Sequence, residues 1–390
     1  MTQDLVVVGG GVMGLMTAYH ASARFPRVTV IEQGRIGDPM TASYGRTRSY
    51  RMDYLDPTYA RLAHEAVRLW TDFEQANGVR ALVRCGCMNI ASEAVTPDLD
   101  ATYARLSHQV LTDLGLPTQT LDRDALAERH PYLDADVAHV DVEGGVVDLL
   151  TVADTLRRVL AERGVTVLED TDVARIWREG EVICVDDIRT RSLVVTAGHG
   201  TNDVLARMDG ADLHVPITKD RPVEARYFSP ADPEPFTRMP VIAYLDAGIY
   251  LHPIVPGLVD KVKIGYYHPP DLPRADTPID GIAAFVDLVM PGLRDAPSEP
   301  VTDYDGCDYD LVADDEFVLG PVPGFPGAFV GVGWRGTGYK FAPWVGRVLS
   351  ELALQHGTVY DIDRFDPARF AKGGVRNDST VDPDTAAAPL

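Results

Sequence analysis

Three glycines near the start of the chain, Gly9, Gly11 and Gly14, constrain the fold more than any other feature. They follow an apolar run at residues 4–8 (DLVVV) and open a stretch at 12–23 that reads as a helix. The apolar run reads as a buried parallel strand, and residues 28–32 (VTVIE) read as a second. Strand, glycine turn, helix and strand together make a βαβ unit. In such a unit the first glycine permits a tight turn and the second lets the backbone approach a pyrophosphate. The third lets the helix pack closely on the strand. The helix N-terminus then presents backbone N–H groups and a positive dipole end to an anion. Glu32, closing the second strand, is placed to bond a ribose 2′-hydroxyl, and a carboxylate there disfavours the 2′-phosphate of NADP. The expected ligand is an adenine dinucleotide, and these residues do not decide between NAD and FAD. A merely structural glycine turn would account for the glycines but not for the acidic residue in register.

At 390 residues the chain can bury one large core or two interlocked ones. Its net charge of −22 would be repelled by nucleic acid and by anionic membranes, so neither is expected as a partner. No stretch offers about 20 consecutive apolar residues, and no positive n-region precedes the first strand. Cys85, Cys87, Cys184 and Cys307 have neither disulfide-framework nor zinc spacing, so no metal is expected and a reducing, cytoplasmic compartment is.

Further along, a loop at 34–45 precedes a helical stretch at 57–77, a strand at 81–90 and a polar helical region at 100–129. An α/β pattern then returns, with an amphipathic helix at 152–163 capped by Gly164 and short strands at 165–168, 173–178, 182–185 and 193–196. Residues 211–300 change to alternating strands rich in aromatics and prolines, which reads as an antiparallel sheet in a second domain. Residues 317–354 read as strand, glycine-rich turn and long helix, and the composition after Lys372 is that of a disordered end.

Four segments beyond the glycine fingerprint carry a family resemblance: 43–51 (SYGRTRSYR), 263–267 (KIGYY), 307–317 (CDYDLVADDEF) and 333–341 (GWRGTGYKF). With their order and spacing, nearly the whole chain resembles the glycine/D-amino-acid oxidase family, in its monomeric sarcosine oxidase-like branch. The resemblance implies FAD rather than NAD and a fold of mixed class, α/β plus α+β. A Rossmann-type FAD-binding domain (1–80, 145–210 and 318–371) would interleave with an antiparallel-sheet substrate domain (81–144 and 211–317). It also implies a monomer acting on a small amino acid and O2.

The same resemblance assigns roles residue by residue. Cys307 would carry the flavin through a thioether, although an unpaired cysteine is more commonly a small buried hydrophobe. Lys263 would sit over the flavin and assist the reaction with oxygen, where a fixed cation stabilises a developing anion. Read alone, its strand alternation with Lys261 could equally mean a solvated face. Arg51 and Lys340 would clamp a substrate carboxylate, which implies an amino-acid substrate, and read alone they are two unrelated cations. Arg48 would lie against the flavin ring, and Tyr44 joins Lys263 and Arg48 as a catalytic candidate. Tyr250, Tyr267 and Tyr309 would line the amine pocket, though aromatic strands ordinarily serve packing. Gly333, Gly336, Thr337 and Gly338 would bring backbone donors to the flavin. Val12, Met13, Gln33, Ser43, Val173, Ala197 and Gly198 complete the expected cofactor contacts.

Tyr44 stands where sarcosine-specific members have a histidine, a second such histidine is missing near Tyr267 although His268 follows, and Arg46 replaces an acidic residue. These departures put sarcosine itself in question, and a bulkier or cyclic secondary amino acid, such as proline, pipecolate or an N-alkyl amino acid, fits as well. The implied reaction is two-electron oxidation of a C–N bond to an imine, with O2 reduced to H2O2. Rival readings are a dehydrogenase or biosynthetic tailoring oxidase of a cyclic imino acid, and a non-catalytic FAD-binding subunit.

Overall fold

A computed structural model describes the chain except for residues 40, 221–223, 267–278, 302–308, 356 and 372–390. The chain divides into two compact units, one drawn from Met1–Tyr44, Leu150–Asp220 and Gly306–Ala386, the other from Gly45–Leu149 and Arg221–Asp305.

The first unit is built on the βαβ unit of the N-terminus. Strand Gln3–Val8 lies between Val28–Ile31 and Ile188–Val195, parallel to both. Its residues Leu5, Val6 and Val7 are fully buried, as a strand covered on both faces must be. Thr166–Leu168 extends the parallel set beyond Val28–Ile31, and Ala328–Val332 extends it beyond Ile188–Val195. Three antiparallel strands, Ile176–Glu179, Val182–Val185 and Val318–Pro321, complete a sheet of eight. Helix Val12–Ser22 crosses helix Ala342–Gln355 at close range, because Gly346 has no Cβ. A Cβ there would lie 2.5 Å from the Met16 backbone.

The second unit is an eight-stranded sheet in the order Ser298–Pro300, Glu224–Phe228, Val262–Tyr266, Ile249–His252, Val241–Tyr244, Cys87–Ala91, Val137–Asp141 and Thr118–Asp122. It is antiparallel throughout except where Val241–Tyr244 runs parallel to Cys87–Ala91. Strand alternation separates the faces. Met88, Ile90, Ile242, Leu251, Val262 and Ile264 point into a buried apolar core with Phe285 and Val286 of helix Ile282–Val289. The opposite face takes Asn89, His252, Lys263 and Asp141. Helix Pro57–Asn77 starts where Asp56 accepts from Thr58 N, with proline in its first turn, and ends at Gly78 in the left-handed region.

Several sequence expectations are corrected here. Residues 45–80 and 145–149, expected with the dinucleotide domain, cluster with the second unit, where Thr47–Tyr50 and Leu82–Val83 both pair with Gly145–Asp148. Residues 211–220 and the described part of 306–317 cluster with the first, through the pairing of Ile217–Asp220 with Tyr309–Val312. The single strand expected at 81–90 is two, Leu82–Val83 and Cys87–Ala91, parted at Gly86, whose φ of +80° breaks the extended run. The polar region 100–129 is not helical throughout. Thr118–Asp122 is an edge strand, and most of its side chains face solvent, so it lacks the apolar alternation that marks a strand. The expected strand 173–178 is observed as Ile176–Glu179. Cys307, Tyr267 and the tail after Lys372 lie outside the described residues.

Candidate active site

The first glycine turn leaves no room for side chains. Gly9 sits at φ +112°, and a Cβ on it would lie 2.4 Å from the Thr196 carbonyl oxygen. A Cβ on Gly14 would lie 1.9 Å from Gly9 O, so the helix meets the strand at a distance only glycine allows. Gly11 is the N-cap of the following helix in extended conformation, without a side-chain cap of its own. Ser43 supplies one, its Oγ accepting from Val12 N at 2.9 Å. Glu32 is buried and spans the loop, accepting from Gly10 N at 2.6 Å and from Gly34 N at 2.9 Å.

A second glycine turn follows strand Ala328–Val332. Gly333 and Gly336 have φ of +82° and +66°, and the intervening Arg335 also adopts a positive φ, +56°. Asp310 holds this turn, its two carboxylate oxygens accepting from Gly333 N at 2.9 Å and Trp334 N at 3.0 Å. Burial pushes the Asp310 carboxyl up to about 6, against the two N–H donors that favour its charged form. Tyr309 packs over Gly336, and Gly338 lies against Trp334 and the Met13 side chain, so the two glycine turns meet. Thr337 bonds Trp334 O, and Lys340 in the short helix Gly338–Phe341 is buried with its Nζ 5.6 Å from the Phe341 ring centre.

The polar face of the second unit's sheet gathers a different set. Lys263 pairs across the strands with His252, and both are buried. Lys263 therefore does not belong to a solvated face, whereas Lys261 is ion-paired with Glu299 at 2.6 Å. His252 Nδ1 lies 2.9 Å from Thr47 Oγ1, while its Nε2 is buried without a hydrogen-bond partner among the described residues. Burial first, then the nearby Lys263 and Arg48 cations, hold His252 well below its usual pKa, so the ring is neutral. Two residues along each strand, the Tyr250 ring lies directly over Gly265, where any Cβ would collide with it.

Arg51 occupies the same unit in a denser network. Its Nη1 donates to Asp53 Oδ1 and to Asp53 O, each at 2.7 Å. The guanidinium lies 4.8 Å from the Tyr54 ring centre and 5.8 Å from that of Tyr103, whose hydroxyl donates to Asp53 O at 3.0 Å. Burial alone would lower the Arg51 pKa, but the Asp53 charge outweighs it and holds the group above its ordinary value. Asn89 Nδ2 donates to Asp53 Oδ2. Asp141 accepts from Met52 N at 2.6 Å, and burial together with the Asp53 charge pushes it up to about 7.

A family profile described as "FAD dependent oxidoreductase" matches residues 4–352. The chain belongs to that family. Among related FAD-dependent oxidoreductases, the peroxisomal sarcosine oxidase of Homo sapiens is 27% identical over 95% of this chain and 97% of its own length. The monomeric sarcosine oxidase of Streptomyces avermitilis is 26% identical, over 95% and 98%. The N-methyl-L-tryptophan oxidase of Yersinia pestis is 24% identical, over 95% and 100%. Among solved structures, the L-proline dehydrogenase of P. horikoshii superposes with a TM-score of 0.76 at 21% identity, over 96% of this chain and 99% of that one, which shows a shared fold.

As an FAD-dependent oxidoreductase the chain must seat an adenine dinucleotide, and the first unit fits one. The cradle at Gly9, Gly11 and Gly14 would be filled by any Cβ, Val12 and Met13 open the helix behind it, and Glu32 stands at the end of the second strand. Gln33 beside it is exposed, Val173 is buried, and Ala197 and Gly198 cap the strand that ends at Val195. Tyr44 closes a turn with Thr41 O, and Arg48 Nη1 bonds Thr47 O at 3.0 Å. The sequence missed Asp53, Asn89, Asp141, Tyr103 and His252. Each is a common residue type with no local motif: sheet register brings Asn89, Asp141 and His252 to one face, while Asp53 reaches Asn89 from a loop and Tyr103 reaches Asp53 from a helix. Asp310 was signalled by the motif at 307–317, but not its role.

Proposed function

We propose that the protein oxidises a secondary amino acid, N-alkyl or cyclic, at its C–N bond to an imine, with O2 reduced to H2O2. The observation that carries this reading is Arg51, a largely buried guanidinium beside the Tyr54 and Tyr103 rings, suited to a carboxylate. The substrates named for the similar proteins (sarcosine, N-methyl-L-tryptophan and L-proline) support it, since all are carboxylates that carry a secondary amine. When bound, FAD supplies the two-electron acceptor for the C–N bond and the route of those electrons to oxygen.

The chain's own residues then bind and orient. Arg51 and Lys340 hold the substrate carboxylate, and Tyr250, Tyr267 and Tyr309 shape the space around the amine. Lys263 and Arg48 provide fixed positive charge, and the burial of Lys263 makes that charge strong because little water screens it. Tyr44 takes the place of a smaller imidazole, which favours a substrate other than sarcosine. Cys307 is the proposed attachment point of the cofactor, and the cytoplasm the proposed compartment, since Cys85, Cys87 and Cys184 are free thiols. A monomer is the proposed state.

The test is oxygen uptake with sarcosine, N-methyl-L-tryptophan, L-proline and L-pipecolate. The expected outcome is uptake with an equal amount of peroxide for at least one of them, and turnover only with an artificial acceptor would make the protein a dehydrogenase. Acid precipitation tests the attachment: a yellow pellet that turns colourless in Cys307→Ser is expected, and a colourless pellet from the unaltered protein removes the covalent link.

A further inference from the structure

Residues 51–53 belong to no strand or helix, yet each is tied down by a different partner. Met52 N donates to Asp141 Oδ2, Asp53 O accepts from Tyr103 OH, and Asp53 Oδ2 accepts from Asn89 Nδ2. Asn89 in turn is fixed in its strand, where it pairs with His139 on one side and Ala243 on the other. Its amide cannot be turned over, because that would set its oxygen against the Asp53 carboxylate. At the end of this chain of contacts is Arg51. Among the described residues its hydrogen bonds all leave from Nη1, whose two hydrogens meet the Asp53 carboxylate and the Asp53 carbonyl, each at 2.7 Å, with Tyr103 OH a third and longer contact at 3.5 Å. A guanidinium is a rigid plane, so fixing both hydrogens of one nitrogen fixes the direction of its opposite edge. The guanidinium carbon also lies 4.8 Å from the Tyr54 ring centre and 5.8 Å from that of Tyr103.

We propose that Asp53 is the positioning residue of the carboxylate clamp: it ties Arg51 down at Nη1, so that the Nε–Nη2 edge is the edge that receives a substrate carboxylate. This rests on the reading of Arg51 as the carboxylate-binding residue. Bidentate binding needs two parallel N–H groups, and with Nη1 committed only the Nε–Nη2 edge can supply them. Because Asp53 holds the guanidinium before any ligand arrives, the clamp is formed in advance and ordering it does not subtract from binding.

The experiment uses FAD-loaded protein and pyrrole-2-carboxylate, a planar carboxylate without an oxidisable saturated C–N bond, titrated by the change in flavin absorbance. Three variants are compared, with thermal unfolding as a control for folding. Asp53→Asn keeps an oxygen for Nη1, and the Asn89 amide can turn over to match it, so its dissociation constant is expected within about threefold of the unaltered protein. Asp53→Ala frees the guanidinium and is expected to weaken binding by about tenfold or more. Arg51→Gln is expected to abolish binding. Tighter binding in both Asp53 variants would overturn the proposal by showing that Asp53 merely competes for the guanidinium. Unchanged binding in both would overturn it by reducing Asp53 to a structural role. Unchanged binding in Arg51→Gln would overturn the clamp itself, and the positioning role with it.

Discussion

Asp141 shows how one buried carboxyl can set a pH dependence that no sequence pattern announces. It accepts hydrogen bonds from Met52 N and Glu143 N, which favour its charged form, but burial and the Asp53 charge prevail and raise it from 3.8 to about 7. Between those two values the unfolded chain has released the proton and the folded protein has kept it. Stability therefore falls as pH rises through that window. Asp141→Asn removes the titration. In denaturant unfolding, the stability advantage of the unaltered protein over Asp141→Asn should be largest below about pH 4, shrink as pH rises toward about 7, and level off above that. An advantage that stays constant or grows would refute the assignment. Glu32 and Asp141 differ in how far they can be read from sequence. Glu32 closes a strand that begins a fixed distance after a glycine fingerprint, so its position could be counted along the chain. Asp141 acquires its character from residues nearly ninety positions away (the Met52 contact spans 89), and spacing cannot reveal that.

Among the elements, the second glycine turn depends on a residue outside itself. Gly333, Arg335 and Gly336 all adopt positive φ, which costs an ordinary residue about 1–3 kcal/mol when the surroundings do not enforce it. Asp310 enforces it by accepting two consecutive backbone N–H groups from 23 and 24 residues away. Asp310→Asn retains one acceptor and turns an N–H donor toward the other backbone N–H. The expected cost is about 1–3 kcal/mol, seen as a lower denaturation midpoint at unchanged slope, with weaker retention of FAD. A midpoint equal to that of the unaltered protein would show that the turn stands without its anchor. The glycines of this turn were legible because three within six residues after an apolar strand exceed what a plain strand–helix connection needs. The strand Thr118–Asp122 was not legible, since an edge strand with most of its side chains in solvent has the composition of a polar helix.

At the scale of the whole molecule, each unit buries its own core on its own sheet, and the chain crosses between them several times. The class of the fold followed from sequence because both sheets announce themselves locally, one by continuous apolar strands and the other by alternation. The crossing points did not, because Gly145–Asp148 pairs with both Thr47–Tyr50 and Leu82–Val83, and such pairings over about 65 to 100 residues leave no local trace in the sequence. No helix among the described residues is long and apolar enough to cross a membrane. Membership of the FAD dependent oxidoreductase family is established over residues 4–352, and the proposed substrate class is argued from Arg51 and Lys263. The most direct measurement is anaerobic mixing of the purified yellow protein with N-methyl and cyclic amino acids while the visible flavin absorbance is followed. The expected result is that at least one secondary amino acid bleaches the flavin, that Arg51→Gln loses this response at the same concentration, and that admitting oxygen restores the colour. A flavin that stays yellow with every amino acid tried, in protein that is folded and FAD-loaded, would contradict it.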